Sequence, residues 1–185
     1  MAIVTSERKT THRMTADEVQ YALTYSQNSP FYIRSHFVFP NIHWGLGFRH
    51  ELDLLSVSMK TYIGTEIEIK VSKSDIKADL DKQHKHDDER LRQLYFAVPI
   101  ELHEAAFEFC PERAGIITIY RNNKAEWKHL TYQCVIRRKA KPRKHYKPFT
   151  EAEIFQLLRL GNMRYWSMFS KQFLKAKIEN VNEAE

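Results

Sequence analysis

Apolar positions along the chain recur with two rhythms, every second residue in some stretches and every third or fourth in others, and these rhythms lay out the elements. Thr15-Ala16-Asp17-Glu18 has the spacing of a capping box and opens a helix that reaches about residue 26. Asn28-Ser29-Pro30 ends it, and residues 31–39 read as an aromatic-rich strand closed by Pro40. Apolar runs over 52–57 and 63–71 follow as strands. The second leads at Ser72 into a helix over 72–83, with Ser72 and Asp75 spaced as another box. Residues 91–100 supply a third core strand, 101–109 a short helix and 115–120 a fourth strand, with turns at Pro111 and Asn122-Asn123. Thr150 and Glu153 open a final helix. In it Ile154, Leu157, Leu158, Tyr165, Trp166, Phe169 and Phe173 form a stripe for the core or an interface, Gly161 permits a bend, and residues 180–185 are expected to fray. A helix, then strands, then alternating helix and strand predicts an α/β mixed sheet flanked by helices.

Within that pattern the stretch 50–82 is a misfit. Glu66-Ile67-Glu68-Ile69-Lys70-Val71 alternates strictly, so a strand places Glu66, Glu68 and Lys70 on one face and the three apolar side chains on the other. Asp53 stands among Leu52, Leu54, Leu55 and Val57, where an unpaired carboxylate is costly to bury and a bound cation would offset the cost. Glu51 shares the face of Asp53 if the strand is regular, as an outer contact or a simple strand-end acid. Glu66 is read as a solvated residue at the start of its strand, outside the metal's immediate ligands.

Two carboxylates on neighbouring strands with a lysine two residues beyond one of them suit metal-assisted phosphodiester hydrolysis. Asp53 and Glu68 offer hard oxygen ligands for Mg²⁺, or Mn²⁺, which keeps waters and borrows phosphate oxygens. Lys70 would stand beside the attacking water and neutralise developing charge. This arrangement, Asp53 followed by Glu68-Ile69-Lys70 on the next strand, resembles the PD-(D/E)xK nuclease superfamily. Within it the run EIKVSKSDIKADLDK, with Ser72, Lys73 and Asp75 at the helix start, is similar to the MmcB-like DNA repair branch. LYFAVP at 94–99 and CPERAGIITI at 110–119 are similar to that branch as well, so the resemblance covers roughly residues 50–120. One departure is Gln83-His84-Lys85-His86-Asp87-Asp88-Glu89, where the branch has an aromatic segment. The resemblance implies a restriction-endonuclease-like fold, catalytic Asp53, Glu68 and Lys70, metal ligands Asp53 and Glu68, and DNA as the partner. Because the superfamily often takes an acid from an early helix, Glu18 becomes an additional candidate beside its reading as a plain cap.

Length and charge set the remaining expectations. At 185 residues the chain suits one domain, and no apolar run approaches the roughly 18 residues of a membrane span. The expected organisation is a polar tail over 1–14 without a signal peptide, a core over 15–136, a basic linker or arm over 137–149 and a C-terminal helix over 150–185 that packs on the core. Cys110 and Cys134 are isolated, which fits a reducing, cytoplasmic setting. A net charge of +6 favours a polyanionic partner. Its densest run holds Arg137, Arg138, Lys139, Lys141, Arg143 and Lys144, with Pro142 and Pro148 arguing for an extended segment that neutralises phosphates. Lys73, Lys77 and Lys82, on the helix after the acidic strand, are further phosphate contacts, or a solvated charged face. The turn at 44–48 could bring Arg49 and His50 near the cleft, but its two glycines without a Walker lysine do not make a phosphate loop. The stretch 84–89 reads as a polar loop, since histidines two apart diverge on a helix and no second pair stands at zinc spacing. The leading expectation is a Mg²⁺-dependent DNA nuclease or repair protein. A catalytically silent DNA-binding accessory of the same fold is the alternative, and a small interaction module using the terminal helix a third reading. A homodimer is left open, and no membrane partner is expected.

Overall fold

Six strands, β1 (His36–Ile42), β2 (Leu52–Ser58), β3 (Gly64–Ile69), β4 (Leu91–Pro99), β5 (Gly115–Arg121) and β6 (Tyr132–Arg138), form one sheet in sequential order. The computed structural model describes residues 13–43, 45–78, 86–122 and 131–182. Strands β1, β2 and β3 pair antiparallel, β3, β4 and β5 parallel, and β6 returns antiparallel along β5. The helices are α1 (Ala16–Tyr25), α2 (Lys73–Ala78), α3 (His103–Phe109), entered through a 3₁₀ turn at Ile100–Leu102, and α4 (Glu151–Asn182). This is the α/β class expected: a mixed sheet flanked by helices, with a long C-terminal helix. No helix among the described residues is long and apolar enough to cross a membrane.

Local chemistry fixes the boundaries. Both halves of the Thr15 box are made, Glu18 N–H donating to the Thr15 hydroxyl and Thr15 N–H to the Glu18 carboxylate, so α1 starts where the spacing predicts. Thr150 and Glu153 repeat the arrangement at α4. Ser72 accepts from Asp75 N–H at the start of α2. The first strand, however, begins later than its aromatics suggest and runs through Pro40 to Ile42. A proline is tolerated there because β1 lies at the sheet edge.

Three apolar clusters place the sheet between its helices. On one face Val19, Ala22 and Leu23 of α1 meet Leu54, Ile67, Ala97 and Ile117. On the other, Ile76 of α2 and Ala105 and Ala106 of α3 cover Leu94, Phe96 and Ile116. Ile154 and Leu157 at the start of α4 close over Leu52, Leu55 and Phe149. Leu160 is buried as well and Arg164 donates to the Pro40 and Asn41 carbonyls, whereas Leu158, Tyr165, Trp166, Phe169 and Phe173 are exposed. The apolar stripe thus divides, with Ile154 and Leu157 in the core and its aromatic continuation on the surface.

The basic segment also departs from a free arm. Arg137 and Arg138 belong to β6, which the sequence pattern did not reveal, and the chain beyond is laid against the domain by backbone bonds from Lys141 to Arg113, Arg143 to Arg92 and Lys147 to Glu89. Ala140 and Phe149 are buried beneath it. It is extended, as its prolines require, but anchored at both ends.

Candidate metal and phosphodiester site

The acidic misfit of the sequence is concentrated at the β2–β3 pair. Leu54 stands opposite Ile67 and Leu55 opposite Glu66, and one further step of that antiparallel register sets Asp53 opposite Glu68. Alternation then puts Asp53, Glu66 and Glu68 on the sheet face away from α1. Lys70 lies just past β3, where its N–H still bonds Ala97 and extends the parallel pairing. Its ammonium contacts both carboxylates, Asp53 Oδ2 at 3.4 Å and Glu68 Oε2 by a short ion pair. The three residues expected to act together are therefore adjacent. Their exposures differ in a useful way: the Asp53 side chain is 37 % exposed, those of Glu68 and Lys70 1 % and 7 %. Asp53 is the edge that solvent reaches, and it is fixed by the Ile69 N–H, which donates to it at 2.9 Å.

Glu66 is the main correction. It is not a solvated strand end but fully buried, 0 % exposed. His50 Nε2 and His86 Nδ1 lie 2.6 and 2.7 Å from the same oxygen, Oε1, while Oε2 is buried with no hydrogen-bond partner among the described residues. Burial alone would raise the Glu66 carboxyl, but the hydrogen bonds and charge of the two histidines outweigh it and hold the group at about 2. His86 is likewise no member of a polar loop. It is buried, its ring edge-on to His50 with centroids 5.1 Å apart, and its carbonyl accepts from Arg113 and Arg143. Its φ of +48 is a conformation that non-glycine residues seldom adopt. Donor atoms of His50, Glu66, Glu68 and His86 all lie within 4.8 Å of one another, a group able to hold a metal ion. His50 was placed near the cleft by the turn before it. His86 was missed because its partners come from β3 and from the segment before β2, far away along the chain, and no local spacing announces such a set.

The other candidates lie elsewhere. Glu18 does not join the group: it accepts from Tyr132 Oη at 2.7 Å and from Arg121, besides its capping bonds. Glu51 is exposed just before β2. Arg49 is exposed and pairs with Asp87 at 3.5 Å. Lys73 and Lys77 both lie over the Phe109 ring, at 5.3 and 4.8 Å from its centroid, and Lys73 also meets Glu108. Lys82 and His84 fall outside the described residues, as do Trp44 and Asn123.

Among the basic residues, Arg138 is committed to structure, donating to the carbonyls of Ala114, Cys110 and Pro111. Arg143 is likewise occupied by the carbonyls of His86 and Asp88. Arg137 leans on Tyr120 and Thr118, and Lys141 pairs loosely with Glu112. Lys139 and Lys144 are exposed. Lys141, Arg143 and Arg113 line a shallow pocket that also touches Glu66 and His86, so the positive segment borders the acidic group.

Three carboxyl groups thus gather beside one ammonium and two imidazoles in a largely buried setting. Comparison with models of known protein families, with curated proteins and with solved structures found no match to this chain.

Proposed function

We propose that the protein is a divalent-metal-dependent nuclease of the restriction-endonuclease-like, PD-(D/E)xK kind, hydrolysing DNA phosphodiester bonds. The observation that carries this reading is the meeting of Asp53, Glu68 and Lys70 across β2 and β3, with the Lys70 ammonium lodged between two carboxylates. An ammonium in that place marks a position where positive charge is stabilised, and the two carboxylates are hard oxygen donors of the type Mg²⁺ and Mn²⁺ take, so the residues fit such an ion. Bound by Asp53 and Glu68, the ion would supply Lewis acidity toward a phosphate oxygen and a more acidic water.

The chain's own groups account for the rest of the chemistry. Asp53, fixed by the Ile69 N–H and open to solvent, would hold the ion on the side from which the phosphate arrives. Glu68, buried, holds Lys70 in position. Lys70 keeps a positive charge where negative charge accumulates on the phosphate oxygens and orients the attacking water through an N–H bond. Phe96, 6.0 Å from the ammonium, forms an apolar floor that limits water behind it. Arg137, Lys139, Lys141 and Lys144 offer phosphate contacts that bind the backbone without reading bases.

The test is a cleavage assay with the full chain, Mg²⁺ or Mn²⁺, and supercoiled, linear and single-stranded DNA. Cleavage of at least one form is expected, and its loss in Asp53→Asn. No cleavage of any form with either metal would overturn the assignment. One observation favours a second reading, a DNA-binding accessory of the same fold without catalysis: Lys70 already pairs with both carboxylates. Salt-sensitive binding of the same DNAs without cleavage is its signature.

A further inference from the structure

The Asp53, Glu68 and Lys70 group does not use His50, Glu66 or His86, yet Glu66 and His86 are buried, the His50 side chain is only 9 % exposed, and both histidines bond the Glu66 carboxylate. They come from three separate segments, the turn before β2, β3 itself and the stretch before β4. His86 is held by two arginines at its carbonyl. A fully buried carboxylate with one oxygen unpartnered is a costly element to keep unless something binds it. We propose that His50, Glu66 and His86, with Glu68 as fourth donor, form a separate site for a borderline transition-metal ion, Zn²⁺ above all. It would be distinct from the hard-ion position at Asp53.

Donor chemistry makes the distinction. Two imidazoles and two carboxylates suit zinc and its neighbours, whereas Mg²⁺ takes oxygen donors and keeps its water. Geometry agrees. Ligands about 2.1 Å from a common tetrahedral ion stand about 3.4 Å apart. The donor atoms here lie within 4.8 Å of each other, so side-chain shifts of roughly 1 Å or less would bring them into register. The nitrogens that now donate N–H to Glu66 Oε1 would release those protons to solvent on metal binding and turn the freed lone pairs to the ion. The unpartnered Glu66 Oε2 supplies a donor with no bond to surrender. Such an ion would tie the segment before β4 to β3 and β2, and through Glu68 it would stand next to Lys70.

The zinc site shares Glu68 with the proposed nuclease site, but its occupancy is independent of DNA cleavage and its test reads metal alone. The full chain, stripped with chelator, is titrated with Co²⁺ and followed by visible absorption, then challenged with Zn²⁺. Intense d–d bands of a four-coordinate N/O site are expected to saturate at one equivalent of Co²⁺ and to vanish with Zn²⁺, with a rise in Tm on adding Zn²⁺. His103→Ala should bind as the wild type does, and His50→Ala and His86→Ala should weaken Co²⁺ binding at least tenfold. Absence of the bands and of a zinc-dependent Tm rise in the wild type would overturn the site. So would unchanged Co²⁺ affinity in both histidine variants. Should the histidine variants fail to fold, wild-type spectra decide, since octahedral Co²⁺ gives bands far weaker than those expected. Cobalt binding without DNA cleavage would leave this site standing while the nuclease reading fell, and the reverse result would separate them equally.

Discussion

Glu66 shows how much a single residue can carry. Its carboxylate sits at full burial with two histidines on one oxygen, so removing it would leave two imidazoles facing a void in the interior. Breaking a buried ionic or strongly polar pair by deleting one partner costs about 3–5 kcal/mol. Glu66→Ala should lower stability by that order in urea unfolding, whereas Glu51→Ala, two residues from Asp53 but exposed, should change it by less than about 0.5 kcal/mol. At this scale the sequence was informative in one way only. A charge in an apolar run, as at Asp53, and acids alternating with isoleucines, as at Glu66 and Glu68, are local signals and can be read from neighbours. Whether an alternating acid faces water or protein depends on what covers the strand. The cover over Glu66 is His50 and His86, which no spacing relates to it.

Among the elements, α1 is tied down at its first turn by chemistry that also links it to the β5–β6 edge of the sheet. Glu18 caps the helix through Thr15 and accepts from Tyr132 and Arg121, at the start of β6 and the end of β5. Burial raises its carboxyl, but the bonds from Tyr132, the Thr15 backbone and Arg121 outweigh this and hold it at about 2, below the ordinary 4.5. A carboxyl depressed by folding contributes stability in full above its unfolded value and loses it as pH falls toward the folded one. Stability should therefore decline between about pH 4.5 and pH 2 in part through Glu18. In Glu18→Gln, denaturation followed across that window should show a shallower decline, and stability at pH 7 lower by about 1 kcal/mol from loss of the charged partner of Arg121 and Tyr132.

Element by element, the helices announced themselves because boxes such as Thr15-Glu18 and Thr150-Glu153 are short-range. Strand β6 did not. Its sequence, YQCVIRR, is polar at an edge and exposes Ile136, so neither composition nor alternation marks it, and its arginines read as the start of a linker. The stripe on α4 illustrates the converse: periodicity correctly marks an apolar face, but only the burial of Ile154, Leu157 and Leu160 against the exposed aromatics from Tyr165 on tells where the core ends.

For the whole molecule, the net charge of +6 and the anchored segment from Arg137 to Lys147 predict electrostatic DNA binding beside the acidic group. Arg138 and Arg143 serve the fold through their bonds to carbonyls, so phosphate binding falls to Arg137, Lys139, Lys141 and Lys144. Combining Lys139→Ala, Lys141→Ala and Lys144→Ala should weaken binding evenly across DNA sequences. It should also reduce the slope of log K against log salt by nearly one for each phosphate that is no longer neutralised. Fluorescence anisotropy at several salt concentrations measures it. An unchanged slope would remove these lysines from the interface.

Asp53, Glu68 and Lys70 are proposed to act on phosphodiesters as one unit. Groups that act as a unit lose their effect together, so deletions are far from additive. The most direct measurement is the single-turnover cleavage rate with saturating DNA and Mg²⁺ for the wild type, Asp53→Asn, Lys70→Met and the double variant, each confirmed folded by circular dichroism. Each single change should slow cleavage at least about 100-fold, with the double variant no slower than the worse single. Wild-type cleavage in either single variant would contradict the account.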